Sequence, residues 1–241
     1  METPVLVEIV CCSPADARAA AQGGAHRIEL CAALPLGGLT PSAGLMEAVR
    51  EAVVLPIMAM VRPRAGGFQY DADELRWMER EARYLVRQGV DGIVFGALTE
   101  DFAVSADGVR RLVGAVEGKE TVFHRAFDVT ADPAAALETL ISLGITRILT
   151  SGQRKTALEG APLIRRLREQ AGSRVSLLPG GGIRSHNVRE IVAQTGCREV
   201  HLAPMQTVSA PVSPNPDVSF GDYSAISEAA VREVVTQVSD G

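Results

Sequence analysis

Short runs of apolar and β-branched residues recur along the chain, each followed by turn residues and then by a stretch of helical periodicity, which is the pattern of repeated strand–helix units. Eight runs read as strands: Val5–Val10, Arg27–Cys31, Leu55–Val61, Gly92–Phe95, Thr121–His124, Thr146–Thr150, Arg174–Leu178 and Glu199–Ala203. Strands buried on both faces and joined by helices are parallel, because each crossover carries the chain back to the same end of the sheet. Helix starts are expected at Ser13-Pro14, Thr40-Pro41 and Asp132-Pro133, where a capping oxygen precedes a proline suited to the first turn. Helix stops are expected at Gly23-Gly24, Gly89, Gly144 and Gly196, since glycine adopts positive φ without steric cost. From Asp71 to Arg87, Leu75, Met78, Ala82 and Leu85 fall on one stripe, as in a helix packed outside a sheet.

Eight such units favour closure into a (β/α)8 ring, a TIM-barrel-like α/β fold. An open doubly wound sheet would carry a glycine-rich turn after its first strand, where this chain has Cys11-Cys12-Ser13-Pro14. The expected organisation is a single domain over residues 1–241, with its core at about 5–205. A loop through Ala210–Pro216 and a closing helix from about Tyr223 to Val238 would complete it.

Composition narrows the function. Of 241 residues, 46% are hydrophobic and 22% charged, enough apolar material for a large core and far from a disordered chain. Lys and Arg number 24 against 29 Asp and Glu, a formal charge of −5 that argues against a nucleic-acid partner. The four cysteines, Cys11, Cys12, Cys31 and Cys197, form no C-x-x-C pair and no disulfide framework, so reduced thiols and a cytoplasmic location are expected. The N-terminus carries no export signal, and the apolar run Val53–Val61 is broken by Pro56, far short of the roughly 20 residues of a membrane span. No membrane partner is expected, and self-association is left open.

In a ring of this kind chemistry gathers where the strands end, so polar residues late in strands are the candidates. Glu8 lies inside the first apolar run, while Glu29 and Cys31, two apart, share one face of the second strand. Arg62 and Arg64 flank Pro63 and could hold two guanidinium forks towards an anionic ligand, with Glu8 and Glu29 as counter-ions. The fifth strand ends in Phe123-His124-Arg125-Ala126-Phe127-Asp128, an imidazole and a carboxylate suited to acid–base work. Later strands deliver Ser151 and Gln153, then Gly180-Gly181-Gly182, then His201; the glycines could present backbone N–H groups to a phosphate. The plainer reading makes the charged residues an ion-pair plug, both histidines core residues, Arg125 with Asp128 a turn pair, and the cysteines small buried apolar groups.

These residues also carry a resemblance. Arg27-Ile28-Glu29-Leu30-Cys31, Gly37-Gly38-Leu39-Thr40-Pro41-Ser42, Arg62-Pro63-Arg64, Phe123 to Asp128, Leu149-Thr150-Ser151-Gly152-Gln153 and Glu199-Val200-His201 follow in order, and the chain resembles the copper homeostasis protein CutC family over roughly residues 5–205. The resemblance implies a TIM-barrel-like fold and a cytoplasmic protein of copper tolerance or trafficking that binds Cu(I) through cysteines. Members commonly read Glu-(Val or Ile)-Cys on the first strand, whereas this chain reads Glu8-Ile9-Val10 and places its thiols at Cys11 and Cys12. Successive strand side chains alternate faces, so only a loop conformation or Cys12 would bring sulfur towards Cys31; the candidate ligands are Cys31, Cys11 and Cys12. The residues themselves also suit a lyase or isomerase acting on a small anionic substrate. In that reading His124, Glu8, Glu29 and Asp128 perform the chemistry, and Arg62, Arg64, Arg125, Ser151, Gln153, Gly181, Gly182 and His201 bind the substrate. A catalytically silent barrel is the third alternative.

Overall fold

The computed structural model describes residues 4–116, 118–211, 214 and 221–239. All eight expected strands form: β1 (Leu6–Cys11), β2 (Arg27–Leu30), β3 (Ile57–Met60), β4 (Gly92–Phe95), β5 (Glu120–Phe123), β6 (Arg147–Thr150), β7 (Ser176–Pro179) and β8 (Glu199–Leu202). They pair in parallel in the order β7-β6-β5-β4-β3-β2-β1-β8, and a single parallel bridge between Gly180 and His201 joins the two ends into a nearly closed barrel.

Alternation along each strand then sorts the side chains. Ile9, Ile28, Ile57, Ile93, Phe123 and Ile148 point outward and pack under the helices. Val10, Cys31, Met58, Met60, Val94, Val122, Leu149 and Leu178 fill part of the interior. Each fully buried aliphatic or aromatic side chain contributes about 1.5–3 kcal/mol, so both layers favour this register, and a slip by one residue would exchange them. One glycine is needed for close approach beside the site: a Cβ on Gly96 would lie 2.5 Å from His124 Cε1.

Ser13 and Asp132 cap α1 (Pro14–Gln22) and α5 (Pro133–Ser142) as expected, accepting from Asp16 N and from Ala134 and Ala135 N. Asp71 caps α3 (Ala72–Arg87) in a reciprocal box with Glu74, and the predicted stripe is its buried face. The Thr40 cap is corrected. Helix α2 (Ala43–Ala52) is capped by Ser42, because the Thr40 hydroxyl is taken by the end of β3: it donates to Arg62 O at 3.1 Å and accepts from Arg62 N at 3.0 Å. Helices α4 (Ala106–Ala115), α6 (Ala157–Ala171) and α7 (Val188–Thr195) complete the outer layer.

The closing helix is also corrected. Tyr223–Ile226 is a strand paired antiparallel with Met205–Val208, and only Glu228–Ser239 is helical, as α8. Ile226 N is held at 2.8 Å by Asp16 Oδ1, which anchors the hairpin against α1 and delays the helix start. Most of the loop expected over Ala210–Pro216 lies outside the described residues. Among the described residues no helix is long and apolar enough to cross a membrane.

Candidate functional site

At the N-terminal ends of the strands, the barrel interior is crossed by a chain of ion pairs. Arg27 donates through Nε to Glu8 and through Nη2 to Glu199 at 2.8 Å; Arg147 donates to Glu199 at 2.5 Å and also reaches Glu120. Arg27 is 3% exposed and Glu8 1%, so neither ion would be tolerated there alone. This floor corrects the expected pairing. The counter-ion of Glu8 is Arg27, its neighbour across the β1–β2 register, and not Arg62 or Arg64 at the far ends of the strands.

Just above the floor, Glu8 Oε1 meets His201 Nδ1 at 2.7 Å. Burial alone would raise the Glu8 carboxyl, but the His201 hydrogen bond and the Arg27 charge outweigh it and hold the pKa at about 2. Burial alone would lower His201; Glu29 and Glu8 reverse this and raise it. Glu29 is different. It is 3% exposed, its Oε2 has no hydrogen-bond partner, and burial pushes its pKa up to about 7 against the opposing charge of His201.

A cavity of about 350 Å³ opens above these groups at the strand C-terminal ends, with Glu29, His201, Arg62, Phe68 and His124 among its walls. His124 Nδ1 accepts the backbone N–H of Ala126 at 3.1 Å, which assigns the ring proton to Nε2, and Nε2 has no partner. Burial, reinforced by the Arg62 charge, lowers the His124 pKa to about 3, so the ring is a neutral donor at pH 7. Its ring centroid lies 4.9 Å from that of Phe68, the two planes tilted by 54°.

Arg62 donates to three carbonyls, Leu36 O at 2.9 Å, Gly38 O at 3.1 Å and Gly66 O at 2.9 Å, and stacks over Phe68 at 5.2 Å. Carbonyls solvate a guanidinium without cancelling its charge. Arg62 makes no ion pair among the described residues, so it brings an unneutralised cation to the cavity wall. Arg64 does not join it: it pairs with Glu74 at the start of α3, donates to Gln69 O at 2.9 Å and lies away from the cavity.

Asp128 also stands apart from His124. It accepts from Thr150 Oγ1 at 2.5 Å, Ser151 N at 2.9 Å, Ser151 Oγ at 2.9 Å, Gln153 N at 3.3 Å and Arg125 Nε at 2.8 Å. That set fills the carboxylate and makes it the anchor of the β6 loop. Ser151 is fully buried under Arg125, and Gln153 ties back to Thr130 O at 2.6 Å, so both serve that anchor. Arg125 remains half exposed at the cavity, beside Gly181 and Gly182, whose φ angles of 103° and 71° need glycine.

The cysteines separate by face. Cys12 Sγ lies 3.6 Å from Cys31 Sγ, next to the inward cluster of Val10 and Met60. The hydrogen bond from Cys31 pulls the Cys12 thiol below its ordinary range, while that bond and burial push Cys31 up. Cys11 is the correction: it points outward under the helices, its sulfur 3.7 Å from Ile9 O, and burial raises its thiol. Sequence reading also missed Arg27, Arg147 and Glu199, although Arg27 lies two before Glu29 and Glu199 two before His201. The alternation that selected the inner pair selects these as well.

Together these features define a TIM-barrel protein with a charged interior floor and a polar cavity at the strand C-terminal face. The chain matches the CutC family over residues 5–206. A CutC family protein of Xanthomonas campestris is 44% identical over 232 residues, covering 95% of this chain and 97% of that one. A human copper homeostasis protein cutC homolog is 42% identical over 235 residues, 97% of this chain and 85% of that one. The crystal structure of CutC from Streptococcus agalactiae superposes with a TM-score of 0.78 at 32% identity, covering 82% of this chain and 97% of that chain. The chain belongs to the CutC family.

Proposed function

We propose that this CutC-family chain serves copper homeostasis in the cytoplasm by holding a single Cu(I) between Cys12 and Cys31. The carrying observation is the 3.6 Å approach of the two sulfurs, one buried and one half-buried, with no disulfide between them. Paired thiolates are the soft donors that select Cu(I). With metal–sulfur bonds of about 2.3 Å, a bridging ion needs sulfurs at most about 4.6 Å apart, an adjustment the half-buried Cys12 side chain can absorb. Anaerobic Cu(I) titration against a competing chelator tests this. A single tight ion per chain is expected in the wild type and in Cys11→Ser, and loss of that ion in Cys12→Ser/Cys31→Ser; affinity unchanged in the double variant would dismiss the reading.

One observation favours a second activity. The unpartnered Nε2–H of His124 and the unneutralised cation of Arg62 both belong to the cavity wall. A neutral imidazole donor beside a free guanidinium suits a small anionic substrate, as a lyase or isomerase would take. A thermal-shift screen with small carboxylates and phosphates is expected to find a stabilising ligand whose effect is lost in Arg62→Met. Stabilisation by none of them, or equal stabilisation of the variant, removes this reading.

A further inference from the structure

Three adjacent strands, β8, β1 and β2, each send one acidic or imidazole side chain into the barrel at the base of the cavity. Glu8 stands opposite His201 in the β1–β8 register, and Glu29 lies two residues further up, opposite Val10. One potential ligand atom from each of Glu8, Glu29 and His201 lies within 4.8 Å of the other two, and all three residues are buried. We propose that Glu8, Glu29 and His201 bind a divalent first-row cation, separately from the thiol pair.

Four features support the assignment. Glu29 Oε2 is buried and unpartnered, a condition that costs about 1–3 kcal/mol and that a cation relieves. Glu8 is held through its other oxygen by Arg27, which is itself held by Glu199, so an ion that replaces the proton now shared by Oε1 and His201 Nδ1 meets a carboxylate fixed as metal ligands are by their outer partners. Glu29 and His201 also line the 350 Å³ cavity, so the remaining coordination positions would face open space where water or substrate could enter. Two carboxylate oxygens and an imidazole nitrogen are the donors of Mn²⁺, Fe²⁺ or Zn²⁺, whereas Cu(I) prefers the sulfurs.

Mn²⁺ is the probe that separates the two sites, because it binds carboxylates well and thiolates poorly. The metal-stripped full chain is titrated with Mn²⁺ and the free-ion electron paramagnetic resonance signal is followed, with Zn²⁺ added afterwards as competitor. One bound Mn²⁺ per chain, displaced by Zn²⁺, is expected in the wild type and equally in Cys12→Ser/Cys31→Ser. Glu29→Gln, which keeps shape and removes charge, is expected to weaken binding by about tenfold or more, as is His201→Gln. Circular dichroism and melting of Glu29→Gln confirm that the variant is folded. No retained Mn²⁺ or Zn²⁺ in the wild type overturns the site in favour of a Glu8–His201 hydrogen bond that holds no ion. Binding that survives in both variants overturns it in favour of an adventitious surface ion.

Discussion

The floor of the barrel and the cavity above it bury charged groups to a similar degree, yet treat them in opposite ways. On the floor, Glu8, Arg27, Glu199 and Arg147 close a chain in which each ion meets an opposite one. In the cavity, Glu29, Arg62 and His124 each keep a buried polar atom without a partner. Desolvation is costly in both places, and folding alone explains only the first arrangement. The unpaired atoms above the floor are what a bound molecule or ion would satisfy.

The comparison breaks most visibly through the floor. Arg27→Met leaves Glu8 and Glu199 short of their shared cation and is expected to cost about 3–5 kcal/mol in urea unfolding. Arg62→Met frees only carbonyls at the edge of a cavity that water can enter, so its cost should be clearly smaller. Equal costs would mean that Arg62 is structural after all.

Acid probes the cavity. His124 has a folded pKa of about 3 against an ordinary 6.5, so below pH 6.5 the unfolded chain takes up a proton that the folded chain refuses. Stability from this residue is full above pH 6.5 and falls as pH drops towards 3, by roughly 4 kcal/mol at the acid end. His124→Asn, whose side-chain oxygen can still accept from Ala126, should flatten that limb. An unchanged slope would show that the imidazole is not held neutral.

Cys11→Ser places a hydroxyl in the apolar layer under the helices and is expected to cost about 1–3 kcal/mol while leaving Cu(I) affinity unaltered. The smallest stability effect belongs to Glu29→Gln. Because its free oxygen contributes no hydrogen bond, the unfolding free energy should change by about 1 kcal/mol or less. A large loss would mean that Glu29 carries structure and not a ligand.

The ring was legible because the strands fall in short apolar or β-branched runs bounded by turns, and because Ser13 and Asp132 mark helix starts without competition. Thr40 misled because capping chemistry does not reveal which backbone a hydroxyl will find, and here the nearest was that of Arg62. The hairpin between Met205–Val208 and Tyr223–Ile226 was hidden: its halves are far apart in sequence and largely exposed, so neither shows the burial alternation that announces a strand. In the site, alternation brought Glu29 and Cys31 to one face and set Cys11 apart from Cys12, as the folded barrel does. It could not distribute counter-ions, because pairing depends on which strands are neighbours: Arg27 intercepts Glu8, and Glu74 intercepts Arg64. Phe68, which contacts the His124 ring and lies beneath the Arg62 guanidinium, comes from a loop with no periodic signal.

His201 does double duty at the last join of the ring, since its backbone meets Gly180 in the bridge between β7 and β8 while its side chain holds Glu8. Whatever grips the imidazole from inside therefore also latches the seam, and breathing of the barrel is tied to occupancy of its centre. Backbone amides along β7 and β8 should exchange hydrogen more slowly once that centre is filled, with β3 and β4 on the far side of the ring scarcely affected.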